Sequence, residues 1–342
     1  METLTFDSRD EVLNYARQHS DRLLVLFSTY AEIEMFETSL PDNLIVASSF
    51  AQTYGSVKKD HGFTGFCVER SLCEVVPIAD PPILSRNDLK AAYDRVKDNP
   101  NAFMYLIADG LSGQEDMIMA SLYFMDRKFK MIGGSAGDTH HESTLIYYGR
   151  HRVSHIAIFF DCRRHTEIVK ENVYVPTGEK LLVTKADPIT RRVYTFNNRP
   201  ADEEYARVLG VPLHDLHEEF IAHPLGQQVD GELFINSPQK MHNDHSITFY
   251  SEIIPNKFVD VLKLGDMDRI MEQTRQKMGM KPSVMFSINC ILRDLYFTKH
   301  GKWHQAFTSL EKMNTKQSGY ISAGEQYEFQ HCNQTMVLLG IE

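Results

Sequence analysis

The sequence predicts a mixed α/β (α+β) protein in two halves, each a mainly β sheet with flanking helices. Three observations predict it. The strongest apolar runs, residues 23–27, 156–160 and 336–341, have strand length; a membrane span needs about 20 apolar residues. Stretches with apolar residues at helical spacing separate such runs. Strand and helix then alternate through the first 160 or so residues, the βαβ rhythm of an α/β domain.

Residues 8–19 open on Ser8 as an N-cap and place Val12, Leu13, Tyr15 and Ala16 at helical spacing. "RLLVLFS" reads as a buried strand. "IEMFETSL" reads as a short helix ended by Pro41, and "NLIVASSFAQTYG" as a strand entering a small-residue turn. "GFTGFCVE" and "CEVVPIA" are further strands with Gly or Pro punctuation. Residues 86–98 form a helix closed by "NPN". "AFMYLIAD", "FKMIGG" and "VSHIAIFFD" are strands, with the helix "LSGQEDMIMASLYFM" between the first two.

Residues 166–180 carry charge and little periodicity, and divide a first domain, 1–165, from a second, 181–342. The second half starts with two strands around the turn "DPIT". The helix "ADEEYARVLG" ends at Gly210 as a C-cap. A helical piece "LHDLHEEFIA", strands at "GELFIN" and "SITFYSEII", and the helix "DMDRIMEQTRQKMGM" follow. "SVMFSINCILRDLYF", "SGYISAGEQY" and "TMVLLGI" close the chain as strands.

The 342 residues are 42% hydrophobic and 24% charged, ordinary for a globular protein. A formal net charge of -10 argues against a dedicated nucleic-acid binder, which needs a basic face. The polar, acidic start has no basic and apolar leader pattern, so a cytoplasmic protein without membrane insertion is expected. Five cysteines without a Cys-x-x-Cys fit reduced, mostly buried thiols.

The stretch "KMIGGSAGD", 130–138, is echoed as "GYISAGEQY", 319–327. The spacing is not that of a dinucleotide or Walker loop, and Ser135 does not sit in a nucleophile elbow. Tight turns where a backbone or ligand comes close are the better reading. No other internal repeat is apparent. The 15 histidines supply no zinc constellation: His140 and His141 diverge, and His151 and His155 lie ~13 Å apart on one strand face. His214 and His217 share a helix face without a third ligand. On a strand, Cys290 and Arg293 point to opposite faces, which leaves the thiol buried and inert.

Several blocks in order resemble the FIST sensory domain. They are "AFMYLIADGLSGQEDMIMASL" with "KMIGGSAGD", "LLVTKADPITRRVYTFNNRPADEEYARVLG", "HPLG", "NCILRD" and the ending "GYISAGEQY" to "NQTMVLLGI". The resemblance spans roughly residues 20–341. It implies a small-molecule sensor, not an enzyme, that signals to a partner such as a histidine kinase or a cyclic-di-GMP enzyme. A homodimer is one assembly to consider. One bacterial branch of stand-alone proteins binds haem and senses nitric oxide, and "RPADEEYARVLG" and "GEQY" with "NQT" look closest to it. Where that branch carries a histidine before its "VT-x-AD" segment, this chain has Val173 and Tyr174. The haem-ligand candidates are then His331, His155 and His141, with Tyr174 an oxygen alternative. The expected ligand-binding residues are Gly133, Gly134, Ser135, Gly137, Asp138, Arg293, Gly324, Glu325 and Asn333, with the two echoed turns bordering a common region. The alternatives are an amino-acid-type ligand sensor without haem, and an enzyme using Glu325, Asp138, His331 or Arg293 as acid–base groups.

Overall fold

The computed structural model describes every residue except 37–39, 124–125, 140–142, 230 and 315, so the end of the short helix expected at 33–40 and the candidate His141 lie outside the described residues. The mixed α+β class is as expected. Its organisation is a threefold repeat that the sequence reading did not see.

Each repeat runs strand, helix, strand, helix, strand, hairpin, strand. In the first unit the strands are Glu2–Phe6, Arg22–Ser28, Leu44–Ser48 and Phe63–Glu69. In the second they are Cys73–Ile78, Phe103–Asp109, Met131–Ala136 and His155–Phe160. In the third they are Thr166–Glu171, Val284–Cys290, Ser318–Ser322 and Met336–Ile341. In every unit the second and third strands pair in parallel, and the other pairings are antiparallel.

The hairpin of each unit leaves its own sheet and extends another. The first unit's hairpin, Ala51–Tyr54 with Val57–Lys59, adds to the third unit's strand Ser318–Ser322. The third unit's hairpin, Glu325–Tyr327 with Gln330–Cys332, adds to the second unit's Met131–Ala136. The second unit's hairpin, Ile146–Tyr148 with His151–Arg152, adds to the first unit's Leu44–Ser48. The exchange is cyclic and leaves three interlocked six-stranded sheets.

The inner faces of all three sheets share one core. Val25, Phe27 and Phe66 meet Tyr105, Ile107 and Phe160 and also Phe286, Ile288 and Tyr320. Phe27 of the first sheet stacks on Tyr320 of the third with ring centroids 3.7 Å apart. Helices cover the outer faces, which is why the central strands are apolar on both sides. The helix Arg9–Gln18 starts where Ser8 accepts from the Glu11 amide, and Met267–Met278 starts where Asp266 accepts from Arg269.

The third unit carries a large insertion between its first strand and first helix. It holds an eight-stranded sheet, from Tyr174–Asp187 to Phe258–Leu264, and the helix Ala201–Leu209, which ends at Gly210 in the left-handed region. Residues 166–180, read from sequence as a linker, form the strand Thr166–Glu171 and the start of Tyr174–Asp187. The segment 283–297, read as one strand, holds the strand Val284–Cys290 followed directly by the start of the helix Ile291–Lys299; a further helix, Trp303–Glu311, follows.

Candidate functional site

The three turns that follow the parallel strands meet at one end of the shared core. A ring of backbone hydrogen bonds joins them. Gly137 N donates to Ser48 O at 3.1 Å, Phe50 N to Ile321 O at 3.1 Å, and Ala323 N to Ser135 O at 2.9 Å. Space on this ring is tight: a Cβ on Gly137 would stand 2.1 Å from the Phe50 ring, so the aromatic side chain of one unit requires glycine in the next. The two echoed turns therefore do border a common region, and a third turn, 48–52, completes it.

Above this ring lies a cleft of about 670 Å³. Phe50, Gly137, Asp138 and Ala323 form its floor, Gly110, Leu111, Gly113 and Ile291 its side. The insertion forms the opposite wall, with Thr190, Arg191, Thr248, Phe249 and Tyr250. The carboxyl ends of parallel strands are where open α/β sheets place their ligands, because loops and helix starts from several strands converge there. Arg191 ties the wall to the side: its Nη2 donates to Asp116 Oδ2 at 2.7 Å and its Nη1 to Tyr250 O at 2.8 Å. The volume suits a drug-sized ligand.

A second cavity, about 320 Å³, lies at the other end of the core against Val68, Leu72, Phe103 and Phe160. It is smaller and collects residues from the opposite ends of the parallel strands. The cleft is the better candidate, because all three units and the insertion bring apolar walls and polar groups to it.

Of the candidate site residues that are described, only Gly137 and Asp138 line the cleft. Gly133, Gly134 and Ser135 lie in the strand Met131–Ala136, paired to Glu325–Tyr327. A Cβ at Gly133 would meet Gln326 Oε1, at Gly134 Tyr320 Oη, and at Gly324 the His331 ring, so these glycines make room for protein atoms. Ser135 Oγ accepts from Gln326 Nε2 at 2.9 Å and donates to Glu115 Oε1 at 3.3 Å. Asn333 is buried in the interior.

Arg293 is on a helix, not a strand, and is fully buried with its guanidinium 2.6 Å from Glu171 Oε2. The two are in ion-pair contact without the alignment of a hydrogen bond. Burial raises the Glu171 carboxyl, and Arg293 opposes that rise. Cys290 precedes the helix as its N-cap, and burial pushes its thiol well up, which keeps it inert. Glu325 is fully buried too, accepting from Ser322 Oγ at 2.7 Å and Thr335 Oγ1 at 2.8 Å. His331 contacts Gln326. Of the four acid–base candidates only Asp138 reaches the cleft.

Burial raises Glu325 from 4.5 to about 8 against those hydrogen bonds. The folded state therefore holds a proton that the unfolded chain releases above 4.5. Stability from this group is greatest below pH 4.5 and is lost as pH rises towards 8, by on the order of a few kcal/mol. In Glu325→Gln that slope is expected to disappear, so thermal melts of both proteins from pH 5 to 9 should converge in acid and separate in base, with the glutamine variant the more stable. Parallel curves would contradict the assignment.

The haem candidates fit poorly. His155 is fully buried, and its Nδ1 accepts from the Asp109 amide at 3.0 Å. Burial lowers its pKa. Neither His155 nor His331 lines the cleft, and Tyr174 Oη is held by Ile221 O and Gln334 Nε2. None of the haem-ligand candidates among the described residues thus faces the cleft. Among the described residues no group of three or more His, Cys, Asp or Glu could hold a metal ion, and no helix is long and apolar enough to cross a membrane.

Sequence reasoning missed Arg191, Phe249 and Tyr250. The turn "DPIT" before Arg191 was legible as a hairpin turn, but its approach to Asp116, 75 positions away, was not.

The cleft is ligand-sized and is lined by turns and loops of the core and of the insertion. Residues 7–199 match the FIST N domain and residues 201–328 the FIST C domain, so the chain belongs to the FIST family. FIST domains are sensory domains of signal transduction. No curated protein matches the chain.

Proposed function

We propose that the protein is a cytoplasmic small-molecule sensor whose ligand binds in the cleft between the ring of three turns and the insertion, and whose occupancy is read by a partner signalling protein such as a histidine kinase or a cyclic-di-GMP enzyme. The observation that carries this reading is the convergence of all three units and the insertion on one cleft. A ligand that bridges floor and wall favours the closed arrangement held by Arg191, and a sensor needs such differential affinity for two conformations. A thermal-shift screen of small metabolites tests it: a ligand is expected to raise the melting temperature, and Arg191→Ala to weaken its binding by roughly tenfold, about 1.4 kcal/mol. If no metabolite stabilises the protein, the reading fails.

Haem-based nitric oxide sensing is a second form of this proposal. It rests on the family resemblance and needs an iron ligand such as His141, three positions beyond Asp138. Titration with haemin decides it. A Soret band that moves with nitric oxide and is lost in His141→Ala supports it, and an unchanged free-haemin spectrum removes haem while leaving the general sensor intact.

A further inference from the structure

The smaller cavity, at the opposite end of the shared core from the cleft, joins an apolar floor to a basic rim. Val68, Leu72, Phe103 and Phe160 form the floor. Val68, Phe103 and Phe160 belong to the shared core, and Phe103 stacks on Phe160 with ring centroids 4.7 Å apart. Core atoms of the first two units therefore face a space of about 320 Å³, at the small end of the range for ligand pockets. Arg163 and Arg164, in the segment that leads into the third unit's first strand, stand at its edge and are exposed. Arg164 spans that edge: its Nη1 donates to Ser283 Oγ at 2.9 Å and its Nη2 to Met1 O at 3.4 Å.

Both bonds go to neutral oxygens, and among the described residues neither arginine has a carboxylate partner. Two acids border the cavity, but the alternation of side chains along a strand turns both outward. Glu69 shares the face of Cys67, which packs in an outer cluster, and not that of Val68. Asp161 lies between Phe160 and Cys162, which both pack on the shared core, and its Oδ1 accepts from Asn99 Nδ2 at 2.6 Å. The charge at the cavity is thus that of the arginines. We propose that the cavity binds a medium-chain fatty acid, with the hydrocarbon chain against Val68, Leu72, Phe103 and Phe160 and the carboxylate on the guanidinium of Arg164. A cationic amphiphile would meet like charge, and a small hydrophilic anion would leave the apolar floor wet. Because the arginines reach into water, the bound acid is expected to exchange freely and to be lost on purification.

This site shares no lining residue with the cleft, so the proposal and the sensor reading can fail separately. Isothermal titration calorimetry on the full chain tests it, with octanoate, acetate and octylamine as probes. Octanoate alone is expected to bind saturably. Arg164→Gln should weaken that binding by about tenfold, and Leu72→Trp, which fills the floor, should abolish it, with thermal melts to check that each variant is folded. The probe series on the wild-type chain decides the need for charge and chain even where a variant fails to fold. No binding of octanoate, or equal binding of octylamine or acetate, overturns the proposal. So does octanoate binding that persists in both variants and is lost in Gln239→Trp, which would place the acid in the cleft.

Discussion

Cut between residues 199 and 200, where the two family matches adjoin, the chain is expected to yield two pieces that do not fold alone. The first piece keeps the whole of the first sheet. Its second sheet loses the hairpin that covers Met131–Ala136, and of the third sheet it retains only the edge strand Thr166–Glu171 and the hairpin Ala51–Lys59, with nothing between them. The faces of Phe27, Phe66 and Tyr105 that pack on Phe286 and Tyr320 would lie open to water. The insertion sheet is severed as well, since Tyr174–Asp187 pairs with Phe258–Leu264. Burying a large apolar side chain contributes about 1.5–3 kcal/mol, and a domain's net stability is only about 5–15 kcal/mol; the first piece loses 7 of the 23 buried residues of the shared core and the second loses the other 16, which removes the folded state of each. Calorimetry of each piece should show no cooperative transition, whereas the pieces produced together should form one complex with a single transition. A cooperative transition in either piece alone would contradict the interlocked architecture.

A large effect of a single substitution is expected at Gly319, in the strand Ser318–Ser322. A Cβ there would stand 2.2 Å from both the carbonyl oxygen and the Oγ of Ser287, on the neighbouring strand of the same sheet, and 2.9 Å from Thr53 Oγ1. The carbonyl is backbone held in the parallel ladder, so it cannot swing aside as a side-chain tip can. Gly319 O also accepts from Thr64 Oγ1 at 2.9 Å, a bond that ties the first sheet to the third. Gly319→Val must push the strands apart and strain that bond, at a cost of about 3 kcal/mol. Urea unfolding should show a lower midpoint at unchanged slope. A midpoint equal to wild type would mean that the sheets meet less closely than described.

Much of the local structure was legible because local chemistry decides it. Ser8 and Gly210 act as the caps their residue types suggest, and the short apolar runs are the central strands. The helix Ile291–Lys299 was hidden because the apolar run of the preceding strand continues into it without Gly or Pro, and its N-cap, Cys290, makes no side-chain capping bond. The repeat was hidden because topology, not identity, is shared. The first unit's turn reads Ser48-Ser49-Phe50-Ala51-Gln52 beside Ser322-Ala323-Gly324-Glu325-Gln326, with a phenylalanine where the other turns have glycine. That exchange makes sense only in three dimensions, where Phe50 packs over Gly137.

The candidate site was half legible for the same reason. Gly137 and Asp138 were found because turns after strands are where sites form. Arg293, Glu325 and Asn333 belong to the buried interior behind the cleft instead, since their segments turn inward against Glu171 and Thr335. The wall of the cleft comes from an insertion whose contacts with the helix Glu115–Tyr123 carry no local mark in the sequence.

Native mass spectrometry of the protein as purified from cells, beside Gln239→Trp, which narrows the cleft from the insertion side, tests the binding claim most directly. The expected result is a small-molecule adduct on the wild-type chain that is lost or strongly reduced in the variant, with both chains folded. An adduct retained equally by Gln239→Trp, or displaced only by substitutions in the cavity around Leu72 and Phe160, would contradict the assignment of the cleft as the sensing site.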